Sequence, residues 1–123
     1  VVSEGVNYGG GHIPNHDTRP EFNPPEVFWL RDTAAGQSIS PSSLMFYTGD
    51  AFAPWRGNAF VGGLAGQFIS RIEVQGDSAR EVERLDMGMR VRAIEQGPDG
   101  SIWVAEDGGR GASGRLFKLT PRE

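Results

Sequence analysis

The segment Gly57-Asn58-Ala59-Phe60-Val61 is matched 43 residues later by Gly100-Ser101-Ile102-Trp103-Val104. Further along, Arg71-Ile72 corresponds to Lys118-Leu119 at a separation of 47 residues, and a glycine-rich insertion at residues 108–114 accounts for the additional four. A repeat in the low forties, with about four short strands in each copy, is typical of β-propeller blades. Two unrelated β-meanders would share the same turn chemistry, so the repeat alone leaves that alternative open.

Short apolar runs separated by turn signals continue from Ser43 to Leu119 and favour an all-β fold. No window shows the 3.6-residue apolar period of an amphipathic helix. The predicted strands are Ser43–Tyr47, Ala59–Leu64, Phe68–Val74, Arg80–Leu85, Val91–Gln96, Ile102–Ala105 and Arg115–Leu119. We therefore predict two four-stranded antiparallel blades, one at residues 41–86 and a C-terminal one at residues 87–123.

The first forty residues are rich in glycine and proline and carry few strand signals. We predict an irregular loop segment over residues 1–40, with at most one short strand at Val27-Phe28-Trp29-Leu30. Loops of this length in compact domains are usually functional or partly disordered.

Composition narrows the classes of function. The 123 residues include 18 glycines and no cysteine, and the formal net charge is −4. Without cysteine the chain forms no disulfides, no thiolate nucleophile and no cysteine-ligated zinc site. The mildly acidic balance disfavours general nucleic-acid binding, and no stretch of about 18 apolar residues could span a membrane. The opening Val1-Val2-Ser3-Glu4 lacks the features of a signal peptide, so we expect none in this chain.

Three stretches of the chain carry a family resemblance. They are SISPSSLMFYTGDAF (38–52) with PWRGNAFVGGL (54–64), then RVR (90–92) with QGPDGSIW (96–103), and more weakly GVNYGG (5–10). In this order they resemble the C-terminal portion of the soluble aldose sugar dehydrogenases that depend on pyrroloquinoline quinone (PQQ), the glucose/sorbosone dehydrogenase family. The QGPDG turn alone is common among propellers, but the first two stretches together are specific.

The resemblance implies a six-bladed β-propeller of which this chain supplies about the last third. Members of the family oxidise the C1 hydroxyl of aldoses to lactones and pass two electrons to PQQ, and a calcium ion bridges the cofactor and the protein. The resemblance therefore implies PQQ and calcium as cofactors and an aldose as substrate. It also implies the missing blades, or further copies of the chain, as partners, and a periplasmic or secreted location.

The family's catalytic base is a histidine on an earlier blade. Neither His12 nor His16 aligns with it, so the isolated piece is expected to lack the base and to be inactive alone. A metal site at these two histidines is disfavoured, because Pro14 lies between them and no third ligand follows at a suitable spacing. Asp107, before the glycine-rich loop, could offer oxygen to calcium, but the loop lacks the carboxylates of a calcium site, so a flexible hairpin is favoured.

Arg90 and Arg92 are the main candidates for cofactor binding. Residues two apart on a strand face the same side, so both guanidinium groups would lie opposite Val91. Planar guanidinium groups bind carboxylates well, and PQQ carries three. The resemblance implies that both arginines contact the quinone; from the residues alone, a solvated strand face or pairing with Glu81 or Glu83 is the alternative.

Three further side chains complete the predictions. Ser38 matches a hydroxyl that hydrogen-bonds the cofactor in the family, with a plain turn hydroxyl as the alternative. Trp103 is predicted to lie in the core. Trp55 is predicted to pack between strands, with a cation–π contact to Arg56 as the alternative.

Two other functions compete with the dehydrogenase interpretation. A non-catalytic propeller module could act in binding or assembly as an oligomer, since three two-blade copies would supply six blades. A propeller lactonase with a central calcium ion is disfavoured, because the sequence shows no set of inward acidic residues.

Overall fold

The computed structural model describes residues 9, 11, 13–29 and 38–122. The chain divides into two compact units, Val1–Ser38 and Ile39–Glu123. In the described part of the first unit the regular element is one 3-10 turn, His16–Thr18, in which the Thr18 hydroxyl donates to the Asn15 carbonyl at 2.9 Å. The sequence allowed at most one short strand at residues 27–30; residues 27–29 are not in a strand, and Leu30 lies outside the described residues.

The second unit contains seven strands and a 3-10 turn at Ala53–Trp55. The strands are β1 (Pro41–Phe46), β2 (Ala59–Gly63), β3 (Phe68–Gln75), β4 (Ser78–Asp86), β5 (Val91–Gln96), β6 (Ile102–Glu106) and β7 (Leu116–Leu119). All seven predicted strands are present, and none of the residues that the structure describes is α-helical. Within the same residues, no helix is long and apolar enough to cross a membrane.

The strands form two antiparallel sheets, one with the order β1-β2-β3-β4 and one with the order β5-β6-β7. The prediction of two four-stranded sheets is therefore correct for the first and wrong for the second. The connection over residues 87–90 is too short and bent to form a strand before β5. Beyond β7 only residues 120–122 are described; Pro121 among them has no N–H for a sheet ladder, and none of the three is in a strand.

The two copies of the sequence repeat occupy equivalent places in the two sheets. β2 and β6, each the second strand of its sheet, begin two residues after Gly57 and Gly100. These glycines have φ angles of +83° and +80°, a region that favours glycine, so a glycine in the same backbone conformation precedes both strands. The repeat therefore reflects a repeated unit of structure.

The sheets pack against each other through β1 and β2 on one side and β5 on the other. The buried core consists of Met45, Tyr47, Phe60, Ile69, Met89, Val91, Ile94, Ile102 and Val104. Side-chain hydrogen bonds also link the two sheets and their adjoining turns: the Ser42 Oγ lies 2.7 Å from the Val91 carbonyl oxygen, and the hydroxyl of Tyr47, the residue after β1, donates to the Gly100 carbonyl at 2.7 Å. Side-chain packing and hydrogen bonds together fix one sheet on the other.

Trp55 and Trp103 differ in how their rings pack. Trp55 was predicted to pack between strands; it lies in the 3-10 turn, where its ring stacks 4.6 Å from that of Phe52 and contacts a strand residue, Phe60, at 5.4 Å. The cation above it is Arg71 rather than Arg56. Trp103 is only half-buried, so the prediction that it lies in the core is wrong. Val104, the next residue, faces the core, and strand alternation turns Trp103 to the other face of its sheet.

Candidate functional site

The candidate site is built where β5 begins. Arg90 directly precedes Val91, the first residue of β5, and Arg92 is the second residue of that strand. The pairing of β5 with β6 is irregular between Val91 and Ala93, so Arg92 lies in a bulge. Arg90 and Arg92 are two residues apart and flank the buried Val91, so both side chains lie opposite Val91 and reach the same partner.

That partner is Asp107, the residue after β6. The Arg90 Nε donates to Asp107 Oδ2 at 3.0 Å, and the Arg92 Nη2 donates to Asp107 Oδ1 at 3.0 Å. The side chains of Arg90 and Asp107 are 21% and 17% exposed, whereas that of Arg92 is 55% exposed. The three side chains form one cluster, which we call the Arg-Asp-Arg cluster. The alternative of pairing with Glu81 or Glu83 is wrong.

The two glutamates have other partners. The Arg84 Nε donates to Glu81 Oε1, and the Arg71 Nε donates to Glu83 Oε2, both at 2.7 Å. Sequence reasoning considered Asp107 only as a calcium ligand and missed it as the partner of the arginines. The signal that could have identified it is its position after the strand that pairs with β5.

A second ion pair lies at the base of the β6–β7 loop. Glu106, with a side chain only 6% exposed, accepts from the Arg115 Nε at 2.9 Å, from its Nη2 at 3.1 Å and from its backbone N–H at 3.1 Å. Backbone bonds run from the Glu106 N–H to the Arg115 carbonyl and from the Asp107 N–H to the Arg90 carbonyl, both at 2.8 Å. Asp107 therefore lies at the end of β6, where the backbone is hydrogen-bonded to Arg115 on one side and to Arg90 on the other.

These contacts favour the ionised form of both carboxyl groups. Hydrogen bonds from Arg90 and then Arg92 hold the pKa of Asp107 below its ordinary value, against the smaller opposing effect of burial. Hydrogen bonds from Arg115 lower the pKa of Glu106 in the same way. Both side chains are therefore carboxylates at neutral pH, and the Arg-Asp-Arg cluster keeps a net charge of one positive unit.

The lowered pKa of Glu106 predicts an acid-sensitive contribution to stability. The contribution is fully present above the pKa of the unfolded chain and is lost as the pH falls through the lower pKa of the folded protein. We expect Glu106→Gln to lower the urea midpoint most near neutral pH, and the difference from the wild type to shrink as the pH falls below 4.5, the ordinary pKa of a glutamate. Glu95→Gln, at an exposed glutamate of β5, is the control. A pH-independent difference for Glu106→Gln would contradict the prediction.

The Arg-Asp-Arg cluster is suited to binding an anion with carboxylate groups. Each guanidinium has five N–H donors and uses one on Asp107, and Arg92 presents its remaining donors from a largely exposed side chain. Ser38 is exposed in the other unit, and its bond to a cofactor stays a prediction. In the ranges 13–29 and 38–122 and at residues 9 and 11, no three His, Cys, Asp or Glu side chains cluster to hold a metal ion.

Known proteins match nearly the whole chain. The family model for glucose/sorbosone dehydrogenase matches residues 1–118. The aldose sugar dehydrogenase YliI of Escherichia coli K12 is 33% identical over 127 aligned residues, which cover 99% of this chain and 32% of that protein. The resemblance predicted from the three sequence stretches is confirmed.

Solved structures agree with the sequence matches. The apo-form of the soluble aldose sugar dehydrogenase of Escherichia coli superposes with a TM-score of 0.74 at 29% identity, over 98% of this chain and 33% of that one. A second glucose dehydrogenase structure gives 0.74 at 30% identity, over 98% of this chain and 34% of that one. The chain spans about a third of the length of each of these relatives.

Proposed function

The chain belongs to the glucose/sorbosone dehydrogenase family, and we propose that it is part of a quinoprotein that oxidises the C1 hydroxyl of aldoses to lactones, with the Arg-Asp-Arg cluster as one wall of the PQQ site. The observation that carries the proposal is the convergence of Arg90 and Arg92 on one carboxylate. A structural ion pair needs a single arginine. The second arginine leaves the cluster with one positive charge that Asp107 does not neutralise, and this charge suits a ligand with several carboxylates.

PQQ, when bound, would accept two electrons from the C1 carbon of the sugar. The contribution of this chain is binding and orientation: Arg92 offers donors to a carboxylate of the quinone, and Arg90 provides the second positive charge from a more buried position. Ser38 belongs to the proposal as a further hydroxyl donor. The base that removes the hydroxyl proton is supplied elsewhere in the propeller, and we assign calcium binding to no residue of this chain.

The proposal includes a six-bladed β-propeller in which residues 41–86 and 87–123 are one blade each and residues 1–40 are a connecting segment. Exposed apolar side chains support it: Leu44 and Phe46 project from β1, and Leu116 from β7. A sheet buries an apolar face only against another element, so the rest of the propeller would cover these residues. The proposed location is the periplasm or the exterior of the cell.

A spectral titration with PQQ in the presence of calcium tests the proposal. We expect Arg90→Ala and Arg92→Ala each to weaken PQQ binding about ten- to a hundredfold, because each removes charge-assisted hydrogen bonds to a carboxylate. Arg80→Ala is the matched control, since it removes the same charge from an exposed arginine paired with Glu73 on the β3–β4 hairpin. If both cluster variants bind PQQ as the wild type does, the cofactor wall lies elsewhere.

A further inference from the structure

We propose that Asp107 is a positioning residue, which holds Arg90 and Arg92 in the arrangement that receives a carboxylate of the cofactor. This inference rests on the proposed PQQ site and adds a residue to it. Asp107 would not touch the quinone; it would act through the two arginines.

The geometry of the Arg-Asp-Arg cluster supports this role. Each oxygen of Asp107 accepts one bond from a different arginine, so one carboxylate bridges both guanidinium groups. Its own backbone N–H donates to the Arg90 carbonyl at 2.8 Å, which fixes the Asp107 backbone against the start of β5. The cluster is therefore closed by three bonds that involve only these residues.

The region around Asp107 is built to keep it in place. The preceding residue, Glu106, is buried and receives three hydrogen bonds from Arg115. The following segment, residues 108–114, contains four glycines and is exposed over most of its length, so it offers little rigidity of its own. Asp107 stands at the boundary between a fixed strand end and this loop, and its bonds to the arginines are the last fixed contacts before the loop.

Loss of the carboxylate would act on the two arginines in different ways. The Arg92 side chain is more than half exposed, and within the described residues its hydrogen-bond partner is Asp107, so without that carboxylate the side chain would move freely in water. Arg90 is more buried, and two guanidinium groups left without the intervening carboxylate would repel each other. A ligand would then have to order both side chains on binding, which weakens affinity although the site gains positive charge.

The test compares Asp107→Asn with Asp99→Asn by PQQ titration and by NMR of the arginine Nε–H groups. Asp99→Asn is matched in charge and in chemistry: Asp99 also pairs with a cation, Lys118, at 2.7 Å, but has no bond to the arginine cluster. We expect Asp107→Asn to weaken PQQ binding about tenfold and Asp99→Asn to change it by less than about twofold. The Arg90 Nε–H signal is expected to shift and to exchange faster with water only in Asp107→Asn.

The outcomes separate this inference from the proposed function. PQQ binding by Asp107→Asn that equals or exceeds that of the wild type, or an unchanged Arg90 signal, overturns the positioning role. A wild-type protein that does not bind PQQ with the rest of its propeller present overturns the proposed function, and the Arg90 and Arg92 signals then decide alone whether Asp107 orders the pair. If Asp107→Asn does not fold, Asp107→Glu keeps the charge and displaces it by one methylene; wild-type affinity and arginine signals in that variant would also overturn the role.

Discussion

Replacing Gly62 with alanine is expected to lower the free energy of unfolding by about 2–3 kcal/mol, because the added methyl group has no room between the two sheets. A Cβ atom at Gly62 would lie 2.6 Å from the Val91 Cγ1 and 3.0 Å from the Ser42 Oγ. Neither neighbour can easily retreat: Val91 is fully buried in β5, and the Ser42 hydroxyl lies 2.7 Å from the Val91 carbonyl oxygen and 3.0 Å from that of Gly62. Equilibrium unfolding in urea measures the effect.

A matched control and a double mutant sharpen this test. Gly108→Ala places the same methyl group at an exposed loop position, where the nearest atom lies at an ordinary contact distance of 3.5 Å, and we expect a change within about 0.5 kcal/mol. Val91→Ala removes the atom that Gly62→Ala would strike, so the double mutant should be more stable than the sum of the single effects by about 1 kcal/mol. Strictly additive effects would show that the two sheets are not in close contact at this point.

The close contact at Gly62 could not be predicted from the sequence, although the strands on either side of it could. β2 and β5 were predicted with their starts at Ala59 and Val91 as observed, because alternating apolar residues and turn glycines are local signals. In the sequence, Gly62 is one of three glycines near the end of a predicted strand, with Gly63 and Gly66. Its importance depends on which sheet face meets which, a property of the tertiary structure that no single segment encodes.

The boundaries and the number of the strands were also only partly predictable from the sequence. β4 begins at Ser78 rather than at the predicted Arg80, because Gly76, with a φ of +57°, allows a two-residue turn and Gln75 pairs directly with Ser78. The second sheet lacks the fourth strand that was inferred from the repeat. The repeat itself aligned only the second and third strands of each sheet, so the fourth was an extrapolation from the first sheet to the second.

For the candidate site, residue types were predictable and partners were not. Arg90 and Arg92 were identified from their spacing and from the resemblance, and the structure brings them together on one carboxylate. Asp107 is 15 residues from the nearer arginine, and its contact with the arginines depends on the register that pairs Val91 with Glu106. The sequence analysis named Glu81 and Glu83 as possible partners of the arginines, and only the sheet pairing distinguishes them from Asp107.

Tyr47 gives the second large effect that we expect, since one side chain bonds both to its own loop and to the second sheet. Its hydroxyl is fully buried; it donates to the Gly100 carbonyl at 2.7 Å and accepts from the Phe52 N–H at 3.0 Å. Its ring makes edge contacts with Phe52 and Phe60 at centroid distances of 6.0 and 6.4 Å. Tyr47→Ala should therefore lower the free energy of unfolding by about 3–5 kcal/mol, which is a large part of the stability of a small domain.

Tyr47→Phe separates the hydroxyl from the ring. The phenylalanine keeps the packing but leaves a buried carbonyl and a partly buried N–H without their partner, so we expect a loss of about 1–3 kcal/mol in urea unfolding. Val74→Ala, at an exposed apolar side chain near the end of β3, should change stability by less than about 1 kcal/mol and is the control for side-chain truncation. A Tyr47→Phe variant as stable as the wild type would mean that the hydroxyl does not join the sheets. The attachment between them would then depend on the packing of Val91 and Ile94 against the first sheet and on the Ser42 contact, which the Gly62 variants test independently.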